Sequence, residues 1–91
     1  MVVFIGKDKP GSLEIRQARR EKHVSMLNDL QNRGLIHFAG PLLDDQGEMN
    51  GSLIIFDTED VEKVNSIMDQ DPYVKAGLFA SREAARVKKV I

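Results

Sequence analysis

The 91-residue chain has no cysteine, which removes disulfide frameworks, thiolate nucleophiles and Cys-ligated zinc from consideration together. An excess of charge of either sign is missing as well. Thirteen Lys plus Arg stand against 14 Asp plus Glu, a formal net charge of −1, so nothing draws a polyanion and nucleic acid is not an expected partner. Long apolar runs are also absent. Val2 to Ile5 is too short for a signal-peptide core, and nothing later approaches the roughly 20 residues of a membrane span, so no membrane association is expected and the chain reads as cytoplasmic. With no internal repeat and no linker, residues 1–91 are expected to form one domain. G-x-G-x-x-G, G-x-x-x-x-G-K-[ST] and G-x-S-x-G are missing, so nucleotide and serine-hydrolase readings have no support and no cofactor is expected.

What is present can be divided into segments. Val2 to Ile5 reads as a strand stopped by Gly6. Pro10-Gly11 signals a turn, Ser12 can cap a helix, and Gly34 suits the left-handed residue that ends it. Leu35 to Pro41 and Gly51 to Asp57 read as a hairpin joined by Leu42 to Asn50. Thr58 or Asp60 can cap a second helix whose apolar stripe is Val61, Val64, Ile67 and Met68, ending near Asp71 because Pro72 disfavours a helical residue before it. The tail is ambiguous by pattern. Glu83 to Arg86 are helix formers, whereas Val87, Val90 and Ile91 lean toward strand. The order β, α, β, β, α needs one more strand beside the first, which favours strand. The expected class is α+β, a four-stranded antiparallel sheet with two helices on one face.

The strands are apolar on both faces. Val2 and Phe4 oppose Val3 and Ile5, Ile54 and Phe56 oppose Leu53 and Ile55, and Ile36 and Phe38 oppose Leu35 and Ala39, the face on which His37 is also read. Two helices cover one face, and a second copy laid sheet to sheet would bury the other, so a homodimer is expected. A chain this short hides only roughly 60 to 65% of its unfolded surface, which points the same way.

On a helical wheel, Leu27 and Leu30 mark the core face of the first helix, and Arg16, Arg20 and His23 fall within roughly 60° of them. A stripe that is apolar toward one end and basic toward the other suggests that the early turns line a cavity, where the helix's own amides add positive potential and favour a small anionic ligand. His23 is the candidate base, because imidazole accepts and returns protons near neutrality once a carboxylate fixes its tautomer. A lone helical histidine is also often a plain core or surface residue, and arginine stems often only cover apolar surface. Asp44, Asp45 and Glu48 lack the alternating spacing of a calcium loop and read as a solvated acidic turn, so no metal is expected.

Several segments together resemble the YciI-like, or YCII-related, family. They are R-E-K-H with Arg20 and His23, R-G-L-I-H-F-A-G-P from Arg33 to Pro41, Gly51-Ser52, and D-Q-D-P-Y-V-K-A-G-L from Asp69 to Leu78. The resemblance implies a ferredoxin-like βαββαβ domain in a dimeric α+β barrel, with the tail as its fourth strand. It also implies an active-site pair on His23 and Asp71, with Arg20, Ser52 and Tyr73 as neighbours in one cleft. An aspartate before a proline also stabilises turns through its backbone, an alternative left open for Asp71.

Two functions follow. One is proton-transfer catalysis on a small, anionic cyclic compound, either isomerisation or a lyase or dehydrochlorinase-type elimination, with Asp71 orienting His23 and Arg16 and Arg20 binding negative charge. On this reading His23→Ala should abolish turnover and leave dimer and melting temperature nearly intact. The alternative is a non-catalytic dimeric small-ligand-binding or regulatory module using the same cleft. A third, ranked last, makes the apolar sheet face a docking surface for other proteins.

Overall fold

The computed structural model describes residues 1–91 and contains, in order, β1 Val2–Asp8, α1 Leu13–Asn32, β2 Ile36–Leu43, β3 Met49–Phe56, α2 Val61–Met68, α3 Pro72–Lys75 and β4 Phe79–Arg86. All strand pairs are antiparallel and the sheet order is β2-β3-β1-β4. This is the expected βαββαβ arrangement, with one extra helical turn, α3, before the last strand. No helix is long and apolar enough to cross a membrane.

Alternation on the two central strands builds the core. Val2 and Phe4 of β1 and Ile54 and Phe56 of β3 point to the helical side and are sealed there by Leu30 of α1 and by Val64 and Met68 of α2. Their neighbours Val3, Ile5, Leu53 and Ile55 face the other way and are only half-buried, and Phe38 on the same side is 53% exposed. The sheet therefore has one finished face and one apolar face left open.

Local signals act largely as their chemistry demands. Gly34 takes φ +73°, and Leu35 N–H reaches back to Leu30 O at 2.9 Å to close α1. Asp60, not Thr58, caps α2 by accepting from Lys63 N–H. Ser12 stands at the N-terminal boundary of α1, but its hydroxyl donates to Lys9 O and caps nothing.

Three further expectations are corrected. β1 does not stop at Gly6 but runs on to Asp8. In β2 a bulge at His37 resets the alternation, so Ile36 opposite Phe56 and Ala39 opposite Ile54 share the core side, and His37 turns out toward Asp57, 3.2 Å away. In the tail the strand is Phe79–Arg86, built from the helix-forming residues, and Val87 to Ile91 lie beyond it. Pairing with β1, Ala84 beside Phe4 and Glu83 beside Ile5, outweighs a propensity difference of only tenths of a kcal/mol per residue.

Gly6 is required for packing. A Cβ built there would lie 2.8 Å from the Phe79 ring, which crosses it on the helical side to meet Phe4 edge-on. Gly6→Ala is expected to destabilise the fold by about 1–3 kcal/mol, the range for overpacking a filled core, seen as a lower urea midpoint at unchanged slope. An unchanged midpoint would mean that Phe79 yields freely.

Candidate active site

Arg16, His23 and Leu30 lie seven residues apart, about two turns, and are the three fully buried residues of α1. The same stripe thus presents a guanidinium, an imidazole and an isobutyl group to the sheet. Leu30 joins the core, while Arg16 and His23 stand above the part of the sheet that α2 does not reach. A cavity of about 260 Å³ opens between α1 and strands β2 and β3. Its polar end holds Arg16, Arg20, His23, Ser52 and Tyr73, and Leu27, Ile36 and Ile54 help to form its apolar wall.

His23 Nδ1–H donates to Asp71 Oδ1 at 2.7 Å, with the two side chains 8% and 1% exposed. A carboxylate in that position holds the proton on Nδ1 and leaves the Nε2 lone pair free. Nε2 has no protein partner, and the sole sealed, unpartnered side-chain polar atom in the chain is Asp71 Oδ2, so Nε2 remains reachable. Asp71 Oδ1 also accepts from Tyr73 N–H at 3.3 Å and so caps α3, where Pro72 occupies the first position. The turn-stabilising role and the imidazole contact therefore coexist on one oxygen atom.

Tyr73 follows from that cap. Its ring stacks on the His23 imidazole with centroids 3.9 Å apart and planes 18° from parallel, Arg16 lies 4.7 Å over it, and Phe79 meets it edge-on. Burial pushes the phenol up from its ordinary range, assisted by Asp71 and opposed by the charges of Arg16 and Arg20. With one tyrosine and no tryptophan in the chain, near-ultraviolet phenolate absorbance reports this residue alone. Its titration is expected above the free-tyrosine value. A folded pKa raised in this way stabilises the protein fully below about pH 10, and the contribution is lost as pH rises through the folded value. A phenol titrating at its free value would contradict this environment.

Arg16 departs from its expected role. Its Nε and Nη2 hold both oxygens of Asp8 at 2.7 and 2.9 Å, and Nη2 also donates to Ser52 Oγ at 3.0 Å. Burial works against the guanidinium's charge, but the bonds and charge of Asp8, with help from Tyr73, outweigh it and raise its pKa. Arg16 and Ser52 are thus at the cavity's polar end but largely engaged with each other and with Asp8. Arg20, one turn on, is exposed at the cavity and belongs to no ion pair. Asp8 itself was not among the expected residues, because K-D-K-P-G reads as a turn. The available signal was the two-residue period through Val2, Phe4 and Gly6, which continues to Asp8.

The expectation that His23→Ala would leave the melting temperature intact does not survive this geometry. Asp71 is 0% exposed and would lose its main partner. No three His, Cys, Asp or Glu side chains gather as a metal site, and in the acidic loop Asp44 Oδ1 accepts from Gln46 and Glu48 N–H.

The βαββαβ sheet with helices on one face is the ferredoxin-like architecture of the dimeric α+β barrel proteins. Within that class the chain belongs to the YCII-related family, whose domain model matches residues 1–88. It is 36% identical over 94 residues to an uncharacterised protein of Haemophilus influenzae, spanning 97% of this chain and 96% of that one. It is 33% identical over 96 residues to Protein YciI of Escherichia coli O6:H1, spanning 99% and 98%. Among solved structures it is similar to the 5-chloro-2-hydroxyhydroquinone dehydrochlorinase TftG of Burkholderia phenoliruptrix AC1100, in complex with 2,5-dihydroxybenzoquinone. The TM-score is 0.83 at 36% identity, over 97% of this chain and 94% of that one.

Proposed function

We propose that the chain is a small-molecule enzyme in which the His23–Asp71 pair moves a proton on a small, anionic cyclic compound, ending in isomerisation or in loss of a leaving group. The observation that carries this reading is the buried 2.7 Å contact from Nδ1 to Asp71, which leaves Nε2 reachable beside the cavity. Likeness to a dehydrochlorinase along nearly the whole chain supports the elimination branch.

The geometry supports the following roles. His23 Nε2 accepts the proton, Asp71 orients and balances the imidazolium that forms, and Arg20 pairs with the ligand's negative charge. Ser52 and Arg16 form the floor of the polar end. An elimination of this kind breaks the bond to hydrogen, shifts that electron pair into the ring and expels halide with its bonding electrons, so hydrogen halide is lost and no oxidant is consumed.

The direct test is chloride release from 5-chloro-2-hydroxyhydroquinone. The wild-type chain is expected to release chloride and His23→Asn, which keeps a donor toward Asp71 but removes Nε2, is not. A compound that binds and is recovered unchanged would move the chain to the non-catalytic reading.

The working unit is a homodimer in the cytoplasm, formed through the open sheet face. Val3, Ile5, Leu53 and Ile55, half-buried, and Phe38, 53% exposed, line a sheet face that no helix covers, and a second copy would close it. Light scattering at micromolar concentration is expected to give the mass of two chains, and a mass of one chain would sink the dimer.

A further inference from the structure

The stack at the polar end has a second reactive edge besides the imidazole. Tyr73 is 1% exposed and its ring is fixed from three directions, by His23, Arg16 and Phe79. Its hydroxyl is treated differently from its ring. Arginine can only donate, so neither neighbouring guanidinium offers the phenol proton an acceptor, and no other side chain or backbone oxygen accepts it. Buried tyrosine hydroxyls ordinarily find a partner. This one is not sealed, because Asp71 Oδ2 is the only sealed polar atom lacking a partner, and Tyr73 lines the cavity with His23 and Arg20.

An unmatched donor beside a free imidazole nitrogen fits an oxygen that becomes more negative as a proton is removed. The two rings lie near-parallel with centroids 3.9 Å apart, and both residues line the same cavity, so base and donor are adjacent on one wall. We infer that the Tyr73 hydroxyl is a catalytic residue, donating a hydrogen bond to the substrate oxygen that gains charge when His23 Nε2 takes its proton. The inference rests on the proton-transfer reading above and deepens it by naming the group that stabilises the intermediate. The proton bookkeeping is simple: His23 gains the substrate's proton, Tyr73 keeps its own, and only the hydrogen bond shortens as charge develops. A phenol held protonated well into alkaline solution by burial suits this role. The positive charge beside the phenol comes first from Arg16, which is also paired with Asp8 and Ser52, and then from Arg20, which belongs to no ion pair.

Tyr73→Phe isolates the hydroxyl, because the phenyl ring keeps the stack on His23, the contact with Arg16 and the packing against Phe79. Two readouts are made on wild type, Tyr73→Phe and His23→Asn. The first is affinity for 2,5-dihydroxybenzoquinone, followed by its own absorbance. The second is the pH profile of chloride release from 5-chloro-2-hydroxyhydroquinone. Tyr73→Phe is expected to bind the quinone about tenfold more weakly or worse, the loss for one hydrogen bond to a charged oxygen. Its kcat should fall with KM changed less, and its profile should lack the alkaline decline that phenol ionisation imposes on wild type. If Tyr73→Phe binds and turns over within about twofold of wild type while His23→Asn is inactive, the inference fails and the proton-transfer reading stands. If wild type neither binds the quinone nor releases chloride, both fail together.

Discussion

Arg16→Ala is expected to destabilise the fold by about 3–5 kcal/mol, the cost of removing one partner from a buried ion pair. The Arg16 side chain is 2% exposed and Asp8 6%, and two charge-assisted bonds join them in the side-by-side geometry that only arginine offers a carboxylate. Removing the guanidinium leaves Asp8 out of water with no counter-charge, strips a donor from Ser52 and removes the cation over Tyr73. At about 4–8 °C per kcal/mol for a chain of this size, the melting temperature should drop by roughly 12–40 °C in a circular-dichroism melt. Arg16→Lys should recover little, since a point charge cannot span both carboxylate oxygens. The paired change Asp8→Leu with Arg16→Met should recover most of the loss, because it removes both charges together. A single-variant loss below about 1 kcal/mol would mean that water enters the site and solvates Asp8.

On the proposed proton-transfer reading, loss of His23 should have the larger effect on turnover. His23→Asn is expected to lower kcat by about 10²–10⁴-fold, the range for one positioned acid–base group. Its stability cost should be smaller than that of His23→Ala, because the asparagine amide can still donate to Asp71, whereas alanine leaves a 0% exposed carboxylate with one backbone donor and a bare second oxygen. Asp71→Asn separates the two duties of that residue. Its amide oxygen can still cap α3, but it no longer carries the charge that keeps the His23 proton on Nδ1, so kcat should fall while the melt changes less. Equal losses of activity and stability across all three variants would assign the pair a purely structural role.

The parts of this molecule legible in its sequence are those governed by local geometry. Period-two alternation groups Val2 with Phe4 and Ile54 with Phe56, the faces that form the core, Gly34 ends α1 as its left-handed tolerance suggests, and Asp60 is the one of two cap candidates that caps α2. The wheel that put Arg16 and His23 beside Leu30 succeeded because a straight helix keeps residues seven apart on one face. What escaped depends on contacts distant in sequence. Nothing near Asp8 announces that Arg16 will claim it, and that claim turns an expected anion binder into a brace. The bulge at His37 shifts the phase of β2 by one residue, and it arises from pairing with β3, not from any breaker in I-H-F-A. A helix of four residues is too short to show a period, so α3 was hidden behind an Asp-Pro pair that read as an ending and is in fact a beginning.

The cavity draws its walls and its reactive groups from different stretches of chain. Ile36, Ala39 and Pro41 border it from an edge strand that has only one neighbour, while His23 and Tyr73 come from α1 and α3, with Asp71 behind them at the cap of α3. An edge strand can change length, bulge or side-chain bulk without breaking the central pairing of β1 with β3 that carries the core. Substitutions along that rim can therefore reshape the cavity while the His23–Asp71 contact behind it stays in place.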